Sequence, residues 1–293
     1  MKILITGSNG LLGQKIVAQA IKHTIPFLAT SKGENRNSNC PEQNYCPLDI
    51  TNSSEVMECI KRYHPTHIIH TAAMTNVDQC ELNPEACRLV NTQAVEFLFS
   101  AAKEVNAHFQ LLSTDFVFDG EKGNYAEEDS VNPLSVYADS KVQAEKLLLV
   151  NNYTNWSIVR TIIVYGVGEN LSRTNIVCWA KSALQKGDTL TIVDDQFRSP
   201  TWADDLAWAC LEIARREERG IFHISGPETM SIYALVRRIA EYYNLPTDNL
   251  KKSKSSELNQ PASRPPKTGF NLTKAKNRLG YAPKTIEETL DLI

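Results

Sequence analysis

The chain has 293 residues, 42% of them hydrophobic and 22% charged, and a formal charge of −3. This suffices for one large domain, or a domain with a smaller lobe, and the near-balanced charge excludes the broad basic field that nucleic-acid binding needs. Seven cysteines with no CxxC pair and no Cys/His array of zinc spacing argue against a disulfide framework or a metal site, and no apolar run approaches membrane-spanning length.

Ile3–Ile5 is a short apolar run, suited to a strand buried on both faces of a parallel sheet. It begins so near the start that it leaves no room for a cleaved leader, and the expected setting is the cytoplasm. Gly7-Ser8-Asn9-Gly10-Leu11-Leu12-Gly13 follows, then an amphipathic helix with Leu12, Ile16, Val17, Ala20 and Ile21 on its apolar side. Strand, glycine turn and helix form the context of a dinucleotide fingerprint. Gly7 permits the tight turn, Gly10 the approach of backbone to a pyrophosphate, and Gly13 close packing of helix on sheet. The spacing is GxxxGxxG, not GxGxxG, and the plainer alternative is a strand–turn–helix without a ligand.

Pro26–Thr30 reads as the second strand. At its end stand Thr30, Ser31 and Lys32 where an NAD-selective site offers an acid to the ribose. The first acid is Glu34 and Arg36 follows, so a cation without a nearby carboxylate favours the 2′-phosphate of NADP, with NAD as the alternative. Cys46–Ile50 is a brief third strand that brings Asp49 to the carboxyl edge, a place to meet an adenine. Ser53 or Ser54 is the expected cap of the helix carrying Val56, Ile60 and Tyr63. His67–Thr71 is the fourth strand, and the small Ala72-Ala73 after it let backbone lie against a cofactor. His67 and His70 have no carboxylate cluster to share a metal with. Asn83-Pro84 opens a helix running to about Val105.

Phe109–Ser113 is the fifth strand, with Ser113-Thr114-Asp115 at the edge where doubly wound sheets bind ligands. A loop rich in Gly and acids, 119–132, leads to a helix holding Tyr137 and Lys141. Four positions apart, these two lie on one helix face. An ammonium near a phenol stabilises the phenolate, which lets such a tyrosine trade a proton with a sugar or alcohol oxygen. The bland alternative is an amphipathic helix with an exposed lysine. Trp156–Arg160 is the sixth strand. Beyond Gly166 the alternation loosens into a helix over 174–186, a strand over 189–193, a polar loop over 194–201, a helix over 204–216 and a strand over 220–224. A helix capped by Ser231, an irregular tail over 251–268 with a solvated basic cluster at Lys251–Lys254, and short helical pieces near 272–279 and 286–292 complete the chain. The fold class is α/β, a doubly wound parallel sheet with a smaller C-terminal lobe. Residues 1–165 form the dinucleotide-binding domain, to which 202–224 return, and 166–201 with 225–293 form the substrate lobe.

With the glycine turn, Ser113-Thr114-Asp115 and Tyr137…Lys141 in this order, the chain resembles the extended short-chain dehydrogenase/reductases over essentially its whole length. Within them it is most similar to the dTDP-4-dehydrorhamnose reductases, through Ala72–Glu81, Ser113–Phe118, Asn132–Tyr137, Asp195-Gln196-Phe197 with Pro200-Thr201, and Arg264-Pro265 with Leu279-Gly280. The resemblance implies a Rossmann fold and NADPH-dependent reduction of a 4-keto group on a nucleotide-linked deoxysugar. It implies that Gly7, Asn9, Gly10, Leu11, Leu12 and Gly13 hold the pyrophosphate, Ser31 and Lys32 the adenosine ribose end, Asp49 and Ile50 the adenine, and Ala72, Ala73 and Ser113 the ribose side. Thr114, Tyr137 and Lys141 are then the catalytic set, Lys141 also reaching the nicotinamide ribose. Thr75, Val77, Asp78, Asp115, Phe116, Ile163, Gln196 and Thr201 face the sugar nucleotide, and Arg264 is a diphosphate contact. For Asp78 and Asn91 the alternative is capping.

The partner implied is a nucleotide-sugar substrate, and a homodimer is compatible with the resemblance. Two positions depart from the pattern. Ile163 stands where these reductases place a tryptophan near the sugar, and Arg198-Ser199 where smaller residues are usual. A sugar-nucleotide epimerase or 4,6-dehydratase shares the fold, although Phe116 replaces the second acid of the dehydratases. The regulatory β subunit of methionine adenosyltransferase is the non-catalytic alternative.

Overall fold

The computed structural model describes residues 1–293. Its first layer is built by short apolar strands alternating with helices. These are β1 (Ile3–Thr6), α1 (Leu11–Lys22), β2 (Phe27–Ser31), β3 (Tyr45–Pro47), α2 (Ser53–Tyr63), β4 (His67–His70), α3 (Val77–Leu82), α4 (Pro84–Arg88), α5 (Ala94–Glu104), β5 (His108–Thr114), α6 (Val136–Leu149) and β6 (Trp156–Thr161). The chain continues through β7 (Val164–Tyr165), α7 (Ile176–Gln185), β8 (Leu190–Val193), β9 (Phe197–Arg198), β10 (Thr201–Trp202), α8 (Ala203–Arg215) and β11 (Gly220–Ile224). It ends with β12 (Met230–Ser231), α9 (Ile232–Tyr242), β13 (Leu250–Ser253), α10 (Thr273–Leu279) and α11 (Glu287–Leu290).

Seven strands form one sheet in the order β11-β6-β5-β4-β1-β2-β3, every neighbouring pair parallel. The strand order reverses between β1 and β4, and in such sheets that switch point, at the carboxyl ends, is where ligands sit. Successive side chains of a strand point to opposite faces. Ile3 and Ile5 therefore enter one core with α1 and α8, while Leu4 enters the other with α2, α5 and α6. A third core, built around α7, α9 and β8, belongs to the smaller lobe.

The expected elements differ from the observed ones in a few places, each for a local reason. Asn52, not Ser53 or Ser54, caps α2, its side chain accepting from the N–H groups of Ser54 and Glu55. Asn76 caps the extra short helix α3, and the helix after Pro84 passes through a π turn at Leu89–Gln93 before α5. Leu250–Ser253 pairs in parallel with β8, so the basic cluster lies partly on a strand and not in a free loop. Phe270, Leu272, Ala275, Leu279 and Tyr281 pack into the first sheet core. Ile286 and Leu290 pack into the third core.

Candidate functional site

At the carboxyl end of β1 the chain turns through Gly7 at φ +73°, and a Cβ there would lie 2.6 Å from the Ala72 amide nitrogen. At Gly13 a Cβ would lie 2.3 Å from the Gly7 carbonyl oxygen, so helix and turn touch backbone to backbone. Gly10 begins α1 with no side-chain cap. It is exposed, and Leu11 and Leu12 are half-buried. An uncapped helix N-terminus offers its first N–H groups and the positive end of its dipole to an anion. These features, with half-buried Ala72 and Ala73 behind them, fit the pyrophosphate of a dinucleotide.

The side chains on this edge are spent differently from the sequence reading. The Asn9 amide donates to the Glu34 carbonyl at 2.8 Å and accepts from the Arg36 N–H at 2.9 Å, so this buried side chain pins the 34–36 loop. Ser31 Oγ accepts from the Asn9 N–H at 3.1 Å. Lys32 has a carboxylate after all, pairing with Asp49 at 2.7 Å. The lysine, together with the Thr51 donors, draws Asp49 down to about 2. Lys32 is therefore not a free cation for a 2′-phosphate, and Arg36, exposed on the same loop, is the cation without a carboxylate partner there. Ile50 is half-buried against the second core.

Ser135 caps α6, its hydroxyl accepting from the Ala138 N–H at 3.3 Å. The cap starts the helix so that Tyr137, Lys141 and Glu145 fall on one face at successive turns. All three are buried. The Tyr137 phenol lies beside Phe116, ring centroids 6.1 Å apart, and packs on Cys80 and Cys87. Burial pushes its ionisation well above the usual tyrosine value, and the Thr114 hydroxyl works in the opposite direction. Lys141 Nζ donates to the Leu112 carbonyl at 2.6 Å, and burial lowers it to about 8, partly opposed by Glu145 and Cys87. In this arrangement the ammonium is held by β5, and the phenol is governed by burial and Thr114, not by the lysine.

Ser113, expected on the ribose side, instead donates to Glu145 Oε1 at 2.5 Å. Glu145 also takes two hydrogen bonds from Arg160, at 3.0 and 2.7 Å. This buried pair is bidentate and fully enclosed, which anchors α6 to β5 and β6. His70 accepts or donates at Nδ1 with Thr6 Oγ1 at 2.6 Å, and burial takes it down to about 3.

On the opposite wall, Thr75 is exposed, Val77 and Phe116 are half-buried, and Val77 and Phe116 pack on the Tyr137 cluster. Ile163 sits at φ +35°, a conformation costly for a β-branched residue by about 1–3 kcal/mol. The turn is held by Thr201, whose N–H donates to the Ile163 carbonyl at 3.0 Å and whose hydroxyl donates to the Ile162 carbonyl at 2.6 Å. Thr201 is enclosed and supports Ile163.

Asp78 pairs with Arg264 at 2.7 Å and accepts from the Ala262 N–H at 3.3 Å, which draws its carboxyl below the usual range. It is a tie to the tail, not a cap. Asn91 is likewise no cap: buried, it accepts from the Met74 N–H at 2.8 Å. Asp115 is enclosed by Arg198, 3.5 Å away, by Thr268, and by Thr114 at 3.1 Å. Gln196 donates to Ser255 Oγ at 2.9 Å. Asp115 and Gln196 thus bond within the protein.

Glu145 is legible in the sequence only through its i+4 spacing after Lys141, and Arg198 only as an unusual residue type at its place. Arg173 carries no sequence signal, yet it lines a cavity of about 280 Å³ with Gly166, Val167, Leu171 and Cys178. The cavity adjoins the start of α1 through Gly168, whose added Cβ would meet Gln14 and Leu11.

The model of the RmlD substrate binding domain family matches residues 1–293. A probable low-salt glycan biosynthesis reductase of Haloferax volcanii is 30% identical over 99% of this chain and 96% of its own length. The methionine adenosyltransferase 2 subunit beta of Xenopus tropicalis is 31% identical over 85% of this chain and 74% of its own. Among solved structures, a dTDP-4-dehydrorhamnose reductase of Bacillus anthracis in complex with NADP superposes with a TM-score of 0.84 at 26% identity, covering 99% of this chain and 98% of that one.

Proposed function

The chain belongs to the RmlD substrate binding domain family, and from that premise we propose that it uses NADPH to reduce the 4-keto group of a nucleotide-linked deoxysugar, in the manner of a dTDP-4-dehydrorhamnose reductase. One observation carries the reading: at the carboxyl edge of β5, Tyr137 lies against Phe116, two residues after Thr114, on the sheet whose β1 ends in an uncapped glycine turn. The bound nicotinamide supplies the hydride. The Tyr137 hydroxyl donates its proton to the sugar carbonyl oxygen as charge develops there, and the Thr114 hydroxyl, turning its one proton from Asp115 Oδ1, stabilises the same oxygen. Lys141, protonated below about 8, is the cation of this site and the group that would hold the nicotinamide ribose.

Gly7, Gly10 and Gly13 with the first turn of α1 would hold the pyrophosphate, and Arg36 is the exposed cation for the 2′-phosphate end. Thr75, Val77, Phe116 and Ile163 would line the sugar, with Arg264 and Asp78 at the cleft's tail side. The reading includes a cytoplasmic setting. No helix is long and apolar enough to cross a membrane. A non-catalytic role is the second reading, favoured by the similarity to the methionine adenosyltransferase subunit beta.

An NADPH-oxidation assay over dTDP-, GDP- and UDP-linked 4-ketosugars decides between them. The expected result is turnover of a dTDP-linked 4-keto-6-deoxysugar, abolished in Tyr137→Phe. Tight NADPH binding with no turnover on any of them, and co-purification with a synthetase, would favour the second reading.

A further inference from the structure

Arg198 is the largest fully enclosed side chain of the molecule, 2% exposed. It lies in β9, in the smaller lobe, which pairs with β12 on one side and bridges Lys267 on the other. A buried guanidinium must be paired and its donors satisfied, and here the partners come from three separated stretches of chain. Nη2 donates to the Pro265 carbonyl at 2.6 Å, and Nη1 to the Phe197 and Pro266 carbonyls at 2.8 and 3.2 Å. Nε faces the Asp115 carboxylate at 3.5 Å, and the guanidinium carbon stands 5.3 Å from the centre of the Phe116 ring.

Asp115 and Phe116 are the two residues directly after Thr114. Asp115 accepts from Thr114 Oγ1 at 3.1 Å, and Phe116 lies against Tyr137. A single side chain of the smaller lobe thus grips the turn that carries the hydroxyl donor and one wall of the phenol. Only a planar fork with five donors can bond three carbonyls, face a carboxylate and stack on a ring together.

We propose that Arg198 is a positioning residue for the reduction: it fixes Asp115 and Phe116, and through them Thr114 and Tyr137, while itself touching neither cofactor nor sugar. The proposal rests on the function given above. It assigns Asp115 to the same strut, as the counter-charge that keeps the buried guanidinium in place.

The test compares full-length wild type, Arg198→Met, Asp115→Asn and the double variant Arg198→Met/Asp115→Asn, in steady-state kinetics with NADPH and the 4-ketosugar the wild type turns over. Misplaced proton-transfer groups lower kcat, so Arg198→Met is expected to lose about tenfold or more in kcat. KM for both substrates should stay within about threefold, as for an interaction made in the transition state only. Adding Asp115→Asn removes the stranded carboxylate and should recover at least about threefold of that loss, a coupling that independent sites would not show.

A rise in KM for the nucleotide sugar at unchanged kcat would overturn the proposal by making Arg198 a substrate contact; wild-type kinetics in Arg198→Met, or no recovery in the double variant, would overturn it too. If Arg198→Met does not fold, the double variant decides, reduced kcat at unchanged KM supporting the strut and wild-type kcat refuting it. If the wild type reduces no ketosugar, the proposed function fails, and amide hydrogen exchange of the double variant decides for Arg198. Faster exchange confined to 114–118 and 265–268, with 3–22 unchanged, supports the strut, and unchanged exchange at 114–118 refutes it.

Discussion

At the start of α1, just after the Gly7–Gly10 turn, the groups left free are peptide N–H groups, and no side chain caps them. Across the cleft the groups expected to face a ligand are side chains, and most are bonded to one another: Asp78 to Arg264, Asp115 to Arg198 and Thr268, Gln196 to Ser255, Thr201 to the Ile162 carbonyl. The first region is built by backbone shape and is in place once the strand and helix form. The second is built by polar pairs whose primary work is to join the smaller lobe and the tail to the sheet.

The largest effect should come from the residue between the two regions. Tyr137→Phe removes the proton donor and is expected to lower kcat by about 10²- to 10⁴-fold, while the NADPH dissociation constant, measured by fluorescence titration, stays near the wild-type value. A comparable loss of NADPH binding would place Tyr137 in the backbone-built region instead.

Gly13→Ala attacks that region directly. A methyl group 2.3 Å from the Gly7 carbonyl oxygen forces helix and turn apart, with an expected stability loss of about 1–3 kcal/mol by chemical denaturation and loss of NADPH binding. Retained binding would show that the close approach of α1 to the turn is dispensable.

The pH profile reads the boundary. Lys141 is held at about 8 in the free protein, so kcat/KM for NADPH, which reports the free protein, should fall as pH rises through about 8. An ordinary lysine would keep it level to about pH 10. The sign of the stability term follows from the same value. The charged form is penalised throughout the range below 8, and the penalty fades as pH rises from about 8 toward the unfolded value of 10.5, so Lys141 costs least stability in alkali.

Arg264→Ala should have the smallest effect on stability. Its pair with Asp78 is partly exposed, and such pairs contribute about 0.2–1 kcal/mol. A rise in KM for the nucleotide sugar beyond that modest destabilisation would show that Arg264 exchanges Asp78 for the diphosphate.

The contrast also explains what could be read in the sequence. The sheet, the helix faces and the glycine turn follow from periodicity and from the few positions only glycine can fill, and these are local signals. The Tyr137–Lys141 face is legible for the same reason. The fate of a polar side chain is not local. Ser113 meets Glu145 across 32 positions, Arg198 meets Pro265 across 67, and Arg264 meets Asp78 across 186. Asn9, Ser113 and Thr201 lie near the site, and each has a hydrogen-bond partner inside the protein that its sequence neighbourhood does not announce. Lys32 looked unpaired because Asp49 reaches it only when β3 lies beside β2. Ile163 shows the reverse case: the residue type marked a departure, and the structure adds a strained backbone at the same place.

In the proposed reaction the 4-keto carbon takes the hydride of NADPH and its oxygen takes the proton of Tyr137. Incubation of the wild-type protein with a dTDP-linked 4-keto-6-deoxysugar and NADPH deuterated at the transferred position, followed by mass and NMR analysis of the sugar, tests it most directly. One deuterium at C4 of a reduced sugar, absent with Tyr137→Phe at saturating NADPH, is the result expected. Bound NADPH that leaves the ketone unreduced would contradict it.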